Sequence, residues 1–491
     1  MSMGKRVVWL VGLLTVSLLT GCAGAMRSYN TELRETTQLL ASSRPDLALQ
    51  VLEQNNPQEE KDLLYLFEKG SLLRLQGEFA GSRNQWLEAD SRVRAWEDLA
   101  RSNPGKLLGD MGSLLVNDKV RPYEGYDYEK VLLTALLAMD HIALGEWDAA
   151  RTEIKKTHER EAIIAELHAK KVVQEESEAK KRQVRRSVKD LQGYPVDTLN
   201  DPQVIALKNG YQNAFSHYLA AFVYEALNEP SLAAPGYRQA IELRPDIPLL
   251  EEGLQQLDQR RARVASGKTD VLFVVEGGLA PARSSMMIPL PIPGAGLVSI
   301  SFPVIPANPT AAYRLNQLMV DDTAVAMAVV TDVDAMARRT LSDEMPGIIL
   351  RSFVRAAARG VAQQQTNKKG SEWASLAIMV SGLVLESADE RSWRTLPATM
   401  QLGRAALRPG KYTLRFPAAN GTLVSVPVEI GGRYQVIPLR VVGNTLYVAS
   451  TPGSSRGTLP DPAQAEENKE SSPRTKVKKS QKKKAEPAAG Q

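Results

Sequence analysis

One spacing of small and large residues occurs three times in the first half of the chain, and it is the spacing of closely packed antiparallel helix pairs. The first copy runs through Leu66, Gly70, Leu73, Gly77, Phe79, Trp86 and Ala89. The second holds Leu137, Ala138, Gly145, Glu146, Trp147 and Ala150, and the third Ala220, Ala221, Tyr224, Ala233, Tyr237, Ala240 and Pro245. A weaker unit occupies Thr31 to Gln54, with Leu39, Ala48 and Leu52 in place. Small residues let two helices approach closely, and large ones fill the holes between neighbouring pairs. One pair cannot bury its own apolar face, so such units have to stack.

The turn Gly77-Glu78-Phe79 and the closing run Ala240-Ile241-Glu242-Leu243-Arg244-Pro245-Asp246 resemble those of tetratricopeptide (TPR) repeats. The copies are not contiguous, which predicts a TPR-like all-α helical-repeat domain with insertions over residues 31–265. The largest insertion, Arg151 to Leu191, is highly charged and free of Gly and Pro. It predicts one long helix over about 147–192, roughly 60 Å in extent. Glu166–Lys170, Glu176–Lys180 and Glu178–Arg182 are favourable i,i+4 pairs. Such a helix either projects into solvent or packs along one narrow apolar stripe.

Between the first two copies, Tyr123, Tyr126 and Tyr128 lie in a loop that enters a helix at Asp127, a candidate N-cap without a full capping box. With Trp147 they are candidate partner-binding residues, since aromatics with polar tips are enriched in interfaces. They are equally suited to plugging a repeat interface.

After Ala265 the pattern changes to strands. Asp270 to Val275 reads as a buried strand and Leu297 to Phe302 as a half-exposed one, while Gly410 to Phe416, Thr422 to Ile430, Arg433 to Arg440 and Thr445 to Ala449 predict an antiparallel sheet or small sandwich. Asp334 to Gln365 reads as helix interrupted at Pro346, and Leu376 to Leu385 as a core element. The chain is thus expected to be α+β and multidomain, with a β-rich α+β domain over 268–450. Within it, Met286 to Pro293 carries prolines at every second position, which excludes a regular helix or a central strand. It predicts an extended edge segment laid over the core, or a contact with lipid or a partner groove within 284–306.

The two ends locate the chain. Lys5 and Arg6 precede an apolar run, Val7 to Leu19, too short to span a bilayer. The run closes on Leu19-Thr20-Gly21-Cys22, which resembles the lipobox of bacterial lipoproteins. That resemblance implies a signal peptide over 1–21, a lipid-bearing Cys22 and a lipidated linker over 22–30. Ala23, rather than Asp, follows the cysteine. By the sorting rule of enteric lipoproteins this implies the outer membrane, with the body facing the periplasm.

At the other end, residues 451–491 form an aperiodic basic tail, expected to be disordered. Its cluster includes Lys478, Lys479, Lys482, Lys483 and Lys484, candidate contacts for peptidoglycan or another polyanion. The formal charge of +5 belongs to these ends: the stretch from Ala23 to Ser450 holds 50 basic and 51 acidic residues. That balance argues against nucleic acid as a partner.

No motif here declares catalysis. His141, His158, His168 and His217 sit in predicted helices without zincin spacing, and Cys22 is the single cysteine. Asp321-Asp322 and Asp332-Val333-Asp334 lack the Gly turn and closing Glu of a calcium loop. The expectation is therefore no enzyme, no cofactor and no metal. An enzymatic reading requires Asp332 and Asp334 to meet in a cleft.

Further stretches resemble an uncharacterised family of proteobacterial TPR-like outer-membrane lipoproteins. They are Gly125 with Tyr128-Glu129-Lys130-Val131-Leu132, then Leu144-Gly145-Glu146-Trp147 with Ala150 to Lys155. Glu386 to Asp389, Arg391 to Pro397 and Leu407-Arg408-Pro409-Gly410 carry it into the second half. The resemblance implies a protein–protein interaction scaffold in envelope, cell-wall or surface-structure assembly, with the lipid as membrane anchor and an envelope protein as partner. The competing expectation is a peptidoglycan- or polysaccharide-binding lipoprotein that grips polymer with its second domain and tail.

Overall fold

The computed structural model describes residues 29–102, 121–182, 187–292, 296–307, 313–368, 388–448 and 452–458. The signal segment, Cys22, Leu376 to Leu385 and the lysines from Lys478 to Lys484 lie outside them.

Four helix pairs come first: α1 (Tyr29–Ala41) with α2 (Pro45–Asn55), α3 (Leu63–Leu75) with α4 (Phe79–Ser102), α5 (Asp127–Ala143) with α6 (Trp147–Lys181), and, after the short α7 (Pro202–Ile205), α8 (Ala214–Ala226) with α9 (Pro230–Leu243). All four share one turn. Ser43, Gly77, Gly145 and Asn228 have φ of 63°, 81°, 80° and 61°. The next N–H in each case returns to a carbonyl five residues back: Arg44 to Leu39, Glu78 to Leu73, Glu146 to His141 and Glu229 to Tyr224. This left-handed cap satisfies orphan carbonyls as it reverses the chain. The small residues work as their spacing implies. A Cβ on Gly70 would lie 2.1 Å from Trp86 Nε1, and one on Gly236 would lie 2.9 Å from the His217 carbonyl oxygen. The N-terminal helices therefore form TPR-like pairs.

Helix α6 ends at Lys181, about ten residues short of the expected 192, and it does not stand alone. It packs on α5 and α8, and Arg160 is buried, reaching Glu97 (3.0 Å) and Asp90 (2.8 Å) of α4. Helix α5 begins at Asp127, so Tyr126 rather than Asp127 precedes it, and the Glu129 carboxylate accepts the Tyr126 N–H at 2.9 Å. Asp127 is paired instead with Lys130 (3.0 Å) and His168 (2.5 Å).

Helices α10 (Pro248–Gln255) and α11 (Leu257–Ala265) lead into β1 (Thr269–Gly277). The remaining elements are β2 (Ser284–Ile292), β3 (Gly296–Val304), β4 (Gln317–Val320), β5 (Thr323–Ala326), β6 (Ala328–Asp332), α12 (Val333–Lys368), β7 (Thr399–Leu407), β8 (Gly410–Pro417), β9 (Leu423–Ile430), β10 (Tyr434–Val442), β11 (Thr445–Val448) and β12 (Ser455–Arg456). The main sheet runs β11-β10-β1-β7-β6, with β12 on β10, and a second sheet runs β5-β4-β8-β9. The main sheet is mixed, because β1 lies parallel to β10 while β10 and β11 are antiparallel, as β8 and β9 are in the second sheet. A parallel neighbour needs a long crossover, here all the chain between them. Helix α12 continues through Pro346 instead of breaking there.

The Pro-rich segment forms the hairpin β2–β3, in register from Ser284 opposite Val304 to Ile292 opposite Gly296. Among the described residues β2 has a strand neighbour on one side only, so alternate positions need donate no ladder N–H, which tolerates Pro289 and Pro291.

All nine residues of β1 are buried, and its two faces serve different cores. Val271, Phe273 and Val275 pack towards the second sheet, whereas Leu272 and Val274 join a core to which all four helix pairs contribute. The change from helix to strand falls between Ala265 and Thr269 along the chain, yet helices and main sheet share one interior.

Candidate functional site

Stacked helical hairpins curve into extended concave surfaces that such proteins use for binding. Here α5 is buried from Tyr128 to Ala143, and α8 from Ala214 to Glu225. Against α3 and α5 lies the chain's own segment 388–396. Trp393 is fully buried, stacked on Phe67 at 4.4 Å and edge-on to Trp86 at 5.5 Å. Its indole N–H donates to Ser71 Oγ at 2.8 Å.

Two buried carboxylates hold the backbone of that segment. Glu129 accepts the N–H of Trp393 (2.7 Å), while Glu68 accepts those of Arg394 (2.7 Å) and Thr395 (3.2 Å), together with the Thr395 hydroxyl. Three consecutive amides are thus held much as a groove would hold an extended peptide. Burial raises the pKa of Glu68, and raises that of Glu129 to about 7 although its hydrogen bonds from Tyr123, Trp393 and Tyr126 oppose the shift.

That geometry corrects the aromatic candidates. Tyr123, Tyr128 and Trp147 are buried and Tyr126 is half-buried, so they do not form an exposed partner-binding surface. The Tyr123 hydroxyl donates to Glu129, and the Arg283 guanidinium lies 3.6 Å from the centre of the Tyr126 ring. Polar-tipped aromatics supply the donors that a buried carboxylate needs. Trp147 fills the start of α6 within the shared core.

Two further ionic clusters tie helices to sheet. Arg74 on α3 bridges Asp140 on α5 and Glu276 on β1 (2.6 Å). Arg404 on β7 meets Asp270 (2.8 Å) and Glu225 of α8 (3.2 Å), with Arg260 also on Glu225 at 2.9 Å. Sequence reasoning did not single out these groups. The available signal was a charge inside an apolar helical run, such as Glu68 between Phe67 and Leu72.

The acidic pairs have structural roles. Asp332 caps α12 through the Ala335 N–H (3.0 Å) and pairs with Arg314 (2.6 Å), while Asp334 pairs with Arg338 (2.7 Å). Asp321 accepts the Thr413 N–H at 2.7 Å. His158 and His217 touch edge to face at 5.1 Å, and His217 lies 3.2 Å from Glu161. No group of three or more His, Cys, Asp or Glu is gathered as a metal site among the described residues, and none of their helices is long and apolar enough to cross a membrane.

An open cleft lies elsewhere among the described residues. A cleft of about 520 Å³ lies between the residues around α7 to α9 and the junction of β6 with α12. Ala206, Leu207, Leu243, Val329, Val330 and Met336 give it an apolar lining, and Arg244, Asp246, Arg314 and Asp332 add charge. Among the described residues strand β6 is at the edge of the main sheet, and Arg244 donates to the Val329 carbonyl at 3.2 Å.

No family model matches the chain, and no curated protein matches it in sequence. Among solved structures it is similar to a tetratricopeptide repeat protein from Parabacteroides merdae, at 13% identity and a TM-score of 0.13. That match covers 47% of this chain and 98% of the other. At that score the likeness carries no argument, and the repeat reading rests on the four turns and the packing of Gly70 and Gly236.

Replacing Glu129 with glutamine gives a pH-dependent result. Its folded pKa of about 7 lies above the ordinary 4.5, so the folded state holds the proton more tightly. The resulting stability is fully present below about pH 4.5 and is lost as pH rises through about 7. Glutamine cannot titrate, so the stability gap between the unaltered protein and Glu129→Gln is expected to be wider at pH 5 than at pH 8, by on the order of 2 kcal/mol. Urea midpoints of both proteins at the two pH values measure it; a constant gap contradicts the assignment.

Proposed function

We propose that this chain is a non-enzymatic scaffold of the cell envelope, held at the outer membrane by lipid on Cys22 and facing the periplasm. Its partner site is the cleft beside β6, and its ligand is an extended segment of an envelope protein. The observation that carries this reading is that the groove along α3 and α5 is filled by residues 388–396, whereas the roughly 520 Å³ cleft at the sheet edge is open. That volume falls within the range of about 300–1,000 Å³ typical of ligand sites. An edge strand can accept a further strand through backbone hydrogen bonds, while an apolar lining receives alternate side chains. Envelope, cell-wall or surface-structure assembly are processes that such a tethered binder serves.

A photocrosslinking residue in place of the exposed Ala206 tests this in living cells. The expected product is an adduct with an exported protein, mapping to an extended apolar segment and lost on Leu207→Asp with Val329→Asp. Adducts no higher than background, or unaffected by those substitutions, overturn the reading.

A further inference from the structure

The hairpin β2–β3 carries no charged residue on either strand, in a chain that is 24% charged. One face is buried: Ile288, Leu290, Ile300 and Phe302 belong to the shared core, and both strands pack on α12. The other face is open. Met287 is 65% exposed and Leu297 75%, the latter more than any other large hydrophobic side chain among the described residues. Pro289 and Ser299, opposite each other in the register, are exposed with them.

The N-terminal end of the described chain is fastened at the root of this hairpin. Asn30 donates to the Arg283 carbonyl immediately before β2, and Arg394 holds the Asn30 side-chain oxygen at 3.0 Å. Tyr29 is tied to Glu68 at 2.8 Å. Cys22 lies seven residues upstream of Tyr29, a tether of at most about 25 Å. Strands of nine residues run roughly 30 Å. A bilayer that holds acyl chains on Cys22 therefore lies within reach of the hairpin's open face.

We propose that this face is a second membrane contact, seating Met287, Pro289 and Leu297 at the headgroup–acyl boundary of the leaflet that anchors Cys22. The proposal rests on the lipoprotein reading and deepens it. An uncharged ribbon enters that boundary without desolvating an ion, and serine hydroxyls remain at headgroup level. The tether supplies a high local concentration, so a contact too weak to bind membranes alone becomes effective. Its consequence is orientation: one flexible anchor leaves the body free to tumble, whereas two contacts fix which side faces away from the membrane.

Because Cys22 is the single cysteine and lipid would consume its thiol, Met287→Cys or Leu297→Cys introduces one free thiol into the mature full-length chain. Each is labelled with an environment-sensitive dye, and the lipidated protein is reconstituted into phosphatidylethanolamine–phosphatidylglycerol vesicles. Leu423→Cys on β9 and Val173→Cys on α6, both exposed, are the controls. The expected result is a blue shift and loss of most emission to nitroxide-labelled lipid at 287 and 297, with iodide quenching retained only at the controls. Vesicle-bound protein whose labels at 287 and 297 stay open to iodide overturns the second contact and leaves the anchor standing. A mass without acyl chains on Cys22 overturns both. Labels already shielded before vesicles are added place another copy of the chain on this face and overturn the lipid assignment.

Discussion

Trp393→Ala is expected to destabilise the protein by about 3–5 kcal/mol, the range for deleting a large buried aromatic. The indole is fully buried between Phe67 and Trp86, and its N–H is bonded to Ser71. Truncation leaves a cavity that the two flanking helices cannot close, because Gly70 already holds Trp86 at contact distance. It also removes the aromatic anchor of the segment whose amides Glu68 and Glu129 hold. Added indole is expected to restore part of the lost midpoint in urea unfolding, since a cavity of this shape binds the side chain it lost. A loss below about 1 kcal/mol contradicts the packing described.

Arg74→Met is the second large effect, again about 3–5 kcal/mol. Arg74 is buried with Asp140 and Glu276, and these carboxylates come from a helix and a strand. Burial raises the Asp140 pKa to about 6 even with the guanidinium beside it, which shows how dependent that carboxylate is on its partner. Removing the guanidinium leaves Asp140 desolvated with no cation beside it, while Glu276 keeps Arg440 at 4.0 Å, so Asp140 must take up a proton. The variant is therefore expected to lose less at pH 5 than at pH 8. Adding Asp140→Asn to Arg74→Met is expected to recover part of the loss. Chemical denaturation of the single and double variants at both pH values measures this; equal losses at both pH values contradict it.

These contacts explain what was legible in the residues and what was not. The helix pairs were readable because Gly77 and Gly145 announce their turns, and because Gly70, Ala89 and Ala150 sit at contact spacing. The same turn was harder to read at Ser43, since serine is no signal for positive φ, while Asn228 carries a weaker form of the glycine signal. The strands after Ala265 were readable from alternation. The parallel pairing of β1 with β10 was not, because register between segments so far apart is set by the assembled core.

The candidate site was the least legible part. The tyrosines at 123, 126 and 128 read equally as surface or interior, because only the fold buries Glu129 and makes it need the Tyr123 hydroxyl and the Tyr126 N–H. Trp393 was visible among conspicuous residues, but nothing local says that it fills a groove formed by helices more than 250 residues earlier. Long-range burial of one's own segment has no short-range sequence pattern. The hairpin β2–β3 was ambiguous for a related reason: its two faces are both uncharged, and only the fold separates the packed face from the open one.

Residues 388–396, held by Glu68 and Glu129, close the helical groove and so should join helices and sheet into one folding unit. Hydrogen exchange of Trp393→Ala beside the unaltered chain tests it most directly. Amides of α3 and α5 and of β1 and β7 are expected to lose protection together and by similar free energies. Loss confined to 388–396, with the helices and the main sheet still protected at their original and separate levels, would contradict it.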